Sequence, residues 1–142
     1  MCLILDNDIS HEFTKESKDA EPIMDWLESR NGVVATGGKN LEELLGTGIR
    51  RLLLEYLRSG RARNFSGTEL DARQTLLERD GGVRSNDHHV LALASVSRWR
   101  VLYTRDRKLM DDFRDKRFVD DPRGAIYSSR LNADLLERCA NC

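Results

Sequence analysis

The chain has 142 residues, of which 39% are hydrophobic and 33% are charged, and its formal net charge at pH 7 is -1. A chain of this length fits one domain, and its apolar content is enough to fill a core without disulfides. With only two prolines and no low-complexity tract, it is not disordered, fibrous or collagen-like. The longest apolar runs, such as residues 90–94, are much shorter than the ~20 residues of a membrane helix, so we expect no membrane partner.

The three cysteines are Cys2, Cys139 and Cys142, an odd number in a chain whose N-terminal residues lack the features of a secretory signal. We therefore expect reduced thiols and a cytoplasmic protein. Cys139 and Cys142 form a C-x-x-C pair, but one such pair supplies only half of a zinc site. We assign residues 1–130 to one domain and residues 131–142 to a C-terminal tail.

The first part of the chain alternates between short apolar segments and a longer amphipathic one. Residues 2–5 are apolar and end at Asp6, which is typical of a buried strand. Residues 33–36 repeat this pattern and predict a second strand. Between them, apolar residues at helical spacing predict a helix over about residues 20–30.

The middle of the chain predicts mostly helix. An apolar stripe over residues 39–59 indicates a long helix that Gly46 and Gly48 interrupt. A third short strand is expected around residues 63–65. Residues 66–69 have the Ser-x-x-Glu pattern of a capping box, which predicts that the next helix begins there.

The last part of the chain continues the alternation. Residues 86–99 predict a buried helix and residues 101–104 a short strand. A helix over residues 108–118 and an edge strand over residues 125–127 complete the series. Strands that alternate with helices select an α/β fold, with helices packed on a mainly parallel central sheet.

Two aspartates follow predicted strands directly. Asp6 ends the first strand, and Asp106 comes just after the strand at residues 101–104. The carboxyl ends of parallel strands meet at one edge of a sheet, and the helices that follow begin at that edge. Glu43 and Asp87 lie near the starts of two such helices. We therefore expect four carboxylates near one crevice.

Such a cluster is costly unless a cation lies within it. Each acid alone also suits a helix cap or a turn, but two carboxylates ~5 Å apart repel by about 3 kcal/mol at an effective dielectric constant near 20. Oxygen ligands favour Mg²⁺ or Mn²⁺, whereas zinc prefers His or Cys. His88 and His89 adjoin Asp87, but only one of them can face the crevice, which is weak support for zinc. We therefore expect Mg²⁺ or Mn²⁺ as the cofactor.

Four segments of the chain, in their order, resemble PIN-domain nucleases. They are LILDNDI at residues 3–9, LEELLG at residues 41–46, SNDHHVLALA at residues 85–94 and LYTRD at residues 102–106. The resemblance extends from Leu3 to about Tyr127 and identifies residues 1–130 as a PIN-like nuclease domain. It implies a three-layer α/β/α sandwich and an endoribonuclease that hydrolyses RNA with a carboxylate-bound metal and an activated water.

The resemblance also assigns roles to individual residues. It implies a catalytic set of Asp6, Glu43, Asp87 and Asp106, of which the three aspartates are the metal ligands. Glu43 is preferred to Glu42 because the family glutamate usually directly precedes the helix leucine.

Other acids near this set have two interpretations each. Asp8 stands where the family usually has Asn or Ser, and we interpret it as a cap of the next helix rather than as a metal ligand. Asp112 is a better candidate than Asp111 for an auxiliary acid near the metal, although both also suit an exposed helix face.

Arginines beside these acids are candidates for contacts with nucleic-acid phosphates. Arg105 and Arg107 flank Asp106, and Arg84 precedes Asp87. The partner implied by the resemblance is RNA. The resemblance also allows an antitoxin-like protein, if the chain is the toxin of a toxin–antitoxin pair, and a second copy in a homodimer.

Two other functions remain open from the sequence. Residues 3–8 also resemble the start of haloacid-dehalogenase-like phosphatases, in which Asp6 would be a covalent nucleophile and Asp8 its acid/base. The other alternative is a non-catalytic PIN-like module that binds RNA or a protein. Activity that depends on Asp8 would favour the phosphatase, and a lack of metal binding would favour the module.

Overall fold

The computed structural model describes residues 2–138, so the predicted C-x-x-C pair, Cys139 and Cys142, lies outside the described residues. Five strands within this range form one sheet in which every pairing is parallel. The strands are β1 Cys2–Leu5, β2 Val33–Thr36, β3 Ala62–Asn64, β4 Val101–Tyr103 and β5 Ala125–Tyr127. All five were expected from the sequence, and their positions agree to within a residue or two.

Helices connect and cover these strands. The α-helices are α1 Ser10–Thr14, α2 Glu21–Ser29, α3 Gly38–Leu45, α4 Arg50–Ser59, α5 Thr68–Asp80, α6 His88–Ser97, α7 Arg107–Arg114 and α8 Asp134–Arg138. Two 3₁₀ helices span Asn7–Ile9 and Arg130–Asn132. No helix within residues 2–138 has both the length and the apolar character needed to cross a membrane.

The strand order β3-β2-β1-β4-β5 places β1 at the centre of the sheet. The chain adds β2 and β3 on one side of β1 and then returns to add β4 and β5 on the other side. The order of strands therefore reverses at β1. In an open parallel sheet, the crevice beyond the carboxyl ends of the strands at such a reversal is the usual position of a ligand site.

Side chains of the sheet alternate between two helical layers. Leu3 and Leu5 pack on the side of α1 to α4 and α8, whereas Ile4 packs on the side of α5 to α7. Because both faces are buried, β1 reads in the sequence as a continuous apolar run. The architecture is a three-layer α/β/α sandwich, which confirms the predicted fold class.

The helix predicted over residues 39–59 is divided into α3 and α4, as its glycines indicated. The backbone N–H of Gly46 donates to the carbonyl of Glu42 at 3.1 Å and ends α3. The capping box predicted at residues 66–69 is wrong. The N-cap of α5 is Gly67, which has φ of 117° and makes no side-chain cap bond.

The helix predicted over residues 108–118 is shorter than expected, because α7 ends at Arg114. Asp115 has an extended backbone with ψ of 118°, which no longer continues the helix. Its carboxylate accepts the backbone N–H of Arg117 at 2.9 Å and also contacts the Arg117 guanidinium. This local turn replaces the last predicted helical turn.

Within the segment that we assigned to a tail, Leu136 packs on the rest of the chain. Leu136 of α8 is buried in the core on the side of α1 to α4. Glu137 forms an ion pair with Arg30 at the end of α2, with 3.1 Å between Oε1 and Nη1.

Candidate active site

Asp6 lies at the carboxyl end of the central strand and is only 2% exposed. The hydroxyl of Thr104, which directly follows β4, donates to its Oδ2 atom at 2.8 Å, and the backbone N–H of Asn7 donates to Oδ1 at 2.8 Å. The N–H of Asp6 itself donates to the carbonyl of Tyr103 at 3.0 Å, which extends the pairing of β1 with β4. Two adjacent strands therefore fix the position of this carboxylate.

The surroundings of Asp6 oppose its ionisation. Burial, together with repulsion from the carboxylates of Asp8 and Asp87, raises the pKa of Asp6 to about 7. The hydrogen bonds from Thr104 and Asn7 stabilise the charged form and offset only part of the effect. Asp6 is therefore a buried acid without enough positive charge around it.

Asp8 lies beside Asp6, and its predicted role as a helix cap is wrong. The N-cap of α1 is Ile9, which makes no side-chain cap bond. The 3₁₀ turn after Asp6 instead turns Asp8 toward the end of β4, where Oδ2 accepts the backbone N–H of Arg105 at 3.1 Å. Its Oδ1 atom is buried and has no hydrogen-bond partner among the described residues.

Asp106 lies at the carboxyl end of β4 and caps α7. Its Oδ1 atom accepts the backbone N–H groups of Lys108 at 2.8 Å and Leu109 at 3.3 Å. Its Oδ2 atom receives no hydrogen bond from the part of the chain that the structure describes. One oxygen therefore holds the carboxylate in place and leaves the other available.

Asp87 occupies the N-cap position of α6, but its side chain makes no cap hydrogen bond. Burial raises the pKa of Asp87, a nearby histidine, His89, lowers it, and repulsion from Asp106, Glu43 and Asp8 raises it further. Asp87 thus interacts electrostatically with acids from three other parts of the chain. The structure brings these acids together at one edge of the sheet.

Glu43 completes this group from α3. It is half-buried, whereas the alternative candidate, Glu42, is exposed. The Oε2 atom of Glu43 lies 2.9 Å from Nε2 of His89, and its Oε1 atom lies 3.9 Å from the amine of Lys39. Ligand atoms of Glu43, Asp87 and His89 all lie within 4.8 Å of one another.

His89 belongs to this group, although the sequence analysis weighed it only as weak support for zinc and did not assign it to the site. It is 3% exposed, while the neighbouring His88 is half-buried and lies outside the group of three. The sequence does indicate that only one of the adjacent helical residues His88 and His89 can face the crevice. The sequence does not show which one it is, because this depends on how the first turn of α6 begins.

Asn40 is a second residue that the sequence analysis did not identify. It is 1% exposed, and its amide donates to the carbonyl of Leu5 at 2.8 Å. The hydroxyl of Thr36 donates to its Oδ1 atom at 3.0 Å. Asn40 therefore ties α3 to the end of β1, and Glu43 projects from the following turn of the same helix.

The carboxylate of Asp112, which was predicted to be an auxiliary acid, accepts hydrogen bonds from a backbone loop. Asp112 is 2% exposed and accepts the backbone N–H of Ser85 at 2.8 Å and of Arg84 at 3.0 Å. These bonds hold the loop that leads into Asp87. The geometry gives Asp112 a positioning role, while the neighbouring Asp111 is exposed.

The three arginines predicted to contact phosphates differ in their pairing. Arg105 is bound by two acids, with Nη1 2.6 Å from Glu12 and Nη2 3.0 Å from Asp19. Arg84 lies 3.8 Å from the carboxylate of Asp111. Arg107 is exposed and pairs with no acid in residues 2–138. Arg107 is thus the cation of the three that is most available to a ligand.

Comparison with known proteins gives no further assignment. No family model matches this chain, and no curated protein matches it. The functional conclusion therefore rests on the sequence pattern and on the site geometry.

Proposed function

We propose that this protein is a metal-dependent endoribonuclease whose catalytic residues are Asp6, Glu43, Asp87 and Asp106. The observation that carries the proposal is the convergence of these acids where the strand order of a parallel sheet reverses. Repulsion among them is unfavourable for folding unless a cation offsets it. An acidic pocket at this position is therefore more simply explained by a cation-dependent function than by stability.

The residues fit a divalent ion by their chemistry. Carboxylate oxygens are the ligands that Mg²⁺ and Mn²⁺ prefer, and we assign Asp6, Asp87 and Asp106 to this role. Asp8 supports the assignment, because a nearby cation would compensate its buried carboxylate oxygen, which has no hydrogen-bond partner among the described residues. When bound, such an ion would supply charge neutralisation at a phosphate and a lowered pKa for a water ligand.

The chain's own residues would orient the substrate and the acids. Thr104 and Asn40 hold Asp6 and α3 in place, and Asp112 holds the loop before Asp87. Arg107, at the start of α7 and adjacent to Asp106, would contact the RNA backbone. We extend the proposal to a cytoplasmic location and to the toxin role, in which an antitoxin-like protein would be the partner.

The phosphatase alternative is less consistent with the contacts. The resemblance to phosphatases implies a hydroxyl at the end of a neighbouring strand, for which Thr36 is the candidate, but the hydroxyl of Thr36 donates to buried Asn40. The resemblance also implies an acid pair, for which Asp111 and Asp112 are the candidates, but the carboxylate of Asp112 accepts backbone N–H groups. A phosphatase would release phosphate from a small phosphomonoester, and D8N would abolish that release. We expect no such activity.

The proposal is tested with purified protein, labelled single-stranded RNA and Mn²⁺. D6N and D87N are each expected to lower the rate of cleavage by at least ~100-fold, because the ligands act as a unit. E42Q is the matched control, because Glu42 is adjacent to Glu43 but exposed, and it is expected to leave the rate unchanged. Equal cleavage by the wild type, D6N and D87N would identify a contaminant and overturn the proposal.

A further inference from the structure

We propose that His89 is a metal ligand, so that Glu43 and His89 join Asp87 in binding the divalent ion of this pocket through two oxygens and one nitrogen, in addition to the contacts assigned above to Asp6 and Asp106. The inference rests on the proposed function, which assigns a divalent ion to this acidic pocket. It goes further by adding a nitrogen donor and by predicting a preference of the site for Mn²⁺ over Mg²⁺.

The burial of His89 is the first argument. The imidazole is 3% exposed and is followed along α6 by a run of fully buried apolar residues, Val90 to Ala94. An apolar side chain would satisfy this environment without a desolvation cost, whereas a buried imidazole needs polar partners. Within residues 2–138, its polar contact is with Glu43, so its Nε2 atom points into the acidic pocket.

The carboxylate of Asp87 is the second and independent argument. Aspartate at an N-cap normally accepts a backbone N–H of the first helical turn, and this bond stabilises the helix. Asp87 occupies that position without making the bond, and its carboxylate receives no hydrogen bond from the described residues. A hydrogen bond between His89 and Glu43 accounts for these two residues and leaves the half-buried carboxylate of Asp87 without a hydrogen bond from the described residues.

The distances are compatible with a shared ion. Ligands around a six-coordinate Mn²⁺ or Mg²⁺ lie ~2.1 Å from the ion, so opposite ligands are about 4.2 Å apart. The ligand atoms of Glu43, Asp87 and His89 are within 4.8 Å of one another. Adjacent ligands of such an ion are about 3.0 Å apart. The 2.9 Å between Nε2 of His89 and Oε2 of Glu43 matches this spacing, so the carboxylate of Asp87 is the group that would move toward the ion.

The imidazole nitrogen of His89 is the reason why we expect the site to prefer Mn²⁺ to Mg²⁺. Mg²⁺ is bound by oxygen ligands and retains several waters, whereas imidazole nitrogen binds transition metals more favourably. A site with His89 as ligand should therefore bind Mn²⁺ more tightly than Mg²⁺, and replacement of His89 should reduce that difference. An all-carboxylate site would show no such dependence on a histidine.

Pulsed electron paramagnetic resonance of the Mn²⁺-loaded wild type is the direct test. We expect ¹⁴N modulation from a directly bound imidazole, and uniform ¹⁵N labelling should shift it to the ¹⁵N frequency. H89Q should remove the modulation and weaken Mn²⁺ binding in calorimetry by about 10- to 100-fold, with a change of less than ~3-fold for Mg²⁺. H88Q is the matched control and should retain both the modulation and the affinity.

The outcomes separate this inference from the proposed function. Mn²⁺ binding that requires Asp6 and Asp87 but shows no ¹⁴N modulation in the wild type would overturn the role of His89 and leave the nuclease proposal intact. Modulation that persists in H89Q would also overturn it. Modulation that is lost in H89Q, in a protein that does not cleave RNA, would support the metal site and refute the nuclease. A wild-type spectrum without modulation overturns the inference without the use of any variant.

Discussion

Asp6 and Asp112 are both 2% exposed, yet their carboxylates have different surroundings. The oxygens of Asp112 accept backbone N–H groups of Arg84 and Ser85, so its burial is compensated within the fold. Asp6 accepts two hydrogen bonds but also faces the carboxylates of Asp8 and Asp87. The comparison shows that burial of an acid alone does not indicate a functional site. The distinguishing feature of Asp6 is the remaining repulsion from these neighbouring carboxylates, which helps to raise its pKa.

The largest loss of stability is expected at Asp112, because its buried carboxylate is fully compensated by hydrogen bonds from backbone N–H groups. D112A should lower the free energy of unfolding by about 3 kcal/mol, because the backbone N–H groups of Arg84 and Ser85 would lose their acceptor. For a chain of this size, that loss corresponds to a decrease in Tm of roughly 10 °C. Urea unfolding and thermal denaturation measure the change. D111N, at the exposed neighbour, should change the stability by less than ~0.5 kcal/mol, and a small effect of D112A would contradict the role of Asp112 as the loop anchor.

At Asp6, we expect a substitution to raise the free energy of unfolding instead of lowering it. In the metal-free protein at pH 8, D6N should raise the free energy of unfolding by about 2 kcal/mol, because a neutral amide removes the repulsion. The folded pKa of Asp6 is about 7 and lies above the unfolded value of ~3.9. Between pH ~4 and pH ~7, the carboxyl group of Asp6 therefore carries a proton in the folded state but not in the unfolded state. The contribution of Asp6 to stability is fully present below pH ~4 and is lost as the pH rises through 7.

A stability profile from pH 5 to pH 8, recorded with a chelator, measures this contribution. The wild type should lose stability over this range relative to D6N, and the two curves should approach each other at the acidic end. A wild-type protein that is as stable as D6N at pH 8 would show that the repulsion around Asp6 is already compensated by the chain.

A smaller loss of stability is expected when the hydrogen bond between Asn40 of α3 and Leu5 of β1 is removed. N40A should lower the free energy of unfolding by about 1.5 kcal/mol, since the carbonyl of Leu5 would lose its buried donor. It should also reduce RNA cleavage at temperatures where the variant is fully folded, because Glu43 projects from the helix that Asn40 positions. E42A, on the exposed face of the same helix, serves as the control for both measurements. Full activity of folded N40A would contradict the positioning role.

The smallest effect is expected for the exposed cation near the site. R107Q should raise the KM for RNA by about 3-fold and reduce its salt dependence, since one phosphate contact is lost without a change in the acids. R114Q, at the other end of α7 and also exposed, is the matched control and should leave KM unchanged. Equal KM values for R107Q and the wild type would show that Arg107 does not contact the RNA.

The parts of the fold that could be predicted are those determined by residues close together in the sequence. The strands could be identified because each is a short apolar run buried on both faces, and Asp6 and Asp106 were placed at one edge because parallel strands share their direction. The starts of α3 and α6 follow from the same rule. The positions of Glu43 and Asp87 near this edge were therefore predictable.

The residues that were missed or misassigned depend on tertiary contacts. Asp8 points to β4 because of a 3₁₀ turn and a bond to Arg105, which lies 97 residues away in the chain. Asp112 reaches backbone groups 27 and 28 residues earlier. His89 meets Glu43 across 46 residues. No periodicity or spacing in the sequence encodes these three pairings.

Titration calorimetry of Mn²⁺ into the wild type and D6N at pH 8 tests most directly whether the acidic pocket exists to hold a cation. We expect saturable binding to the wild type, a decrease in affinity of at least ~10-fold in D6N, and weaker binding to the wild type at pH 6 because protons compete with the metal. No binding to the wild type, or equal binding to folded D6N, would contradict the metal site and the nuclease function inferred from it.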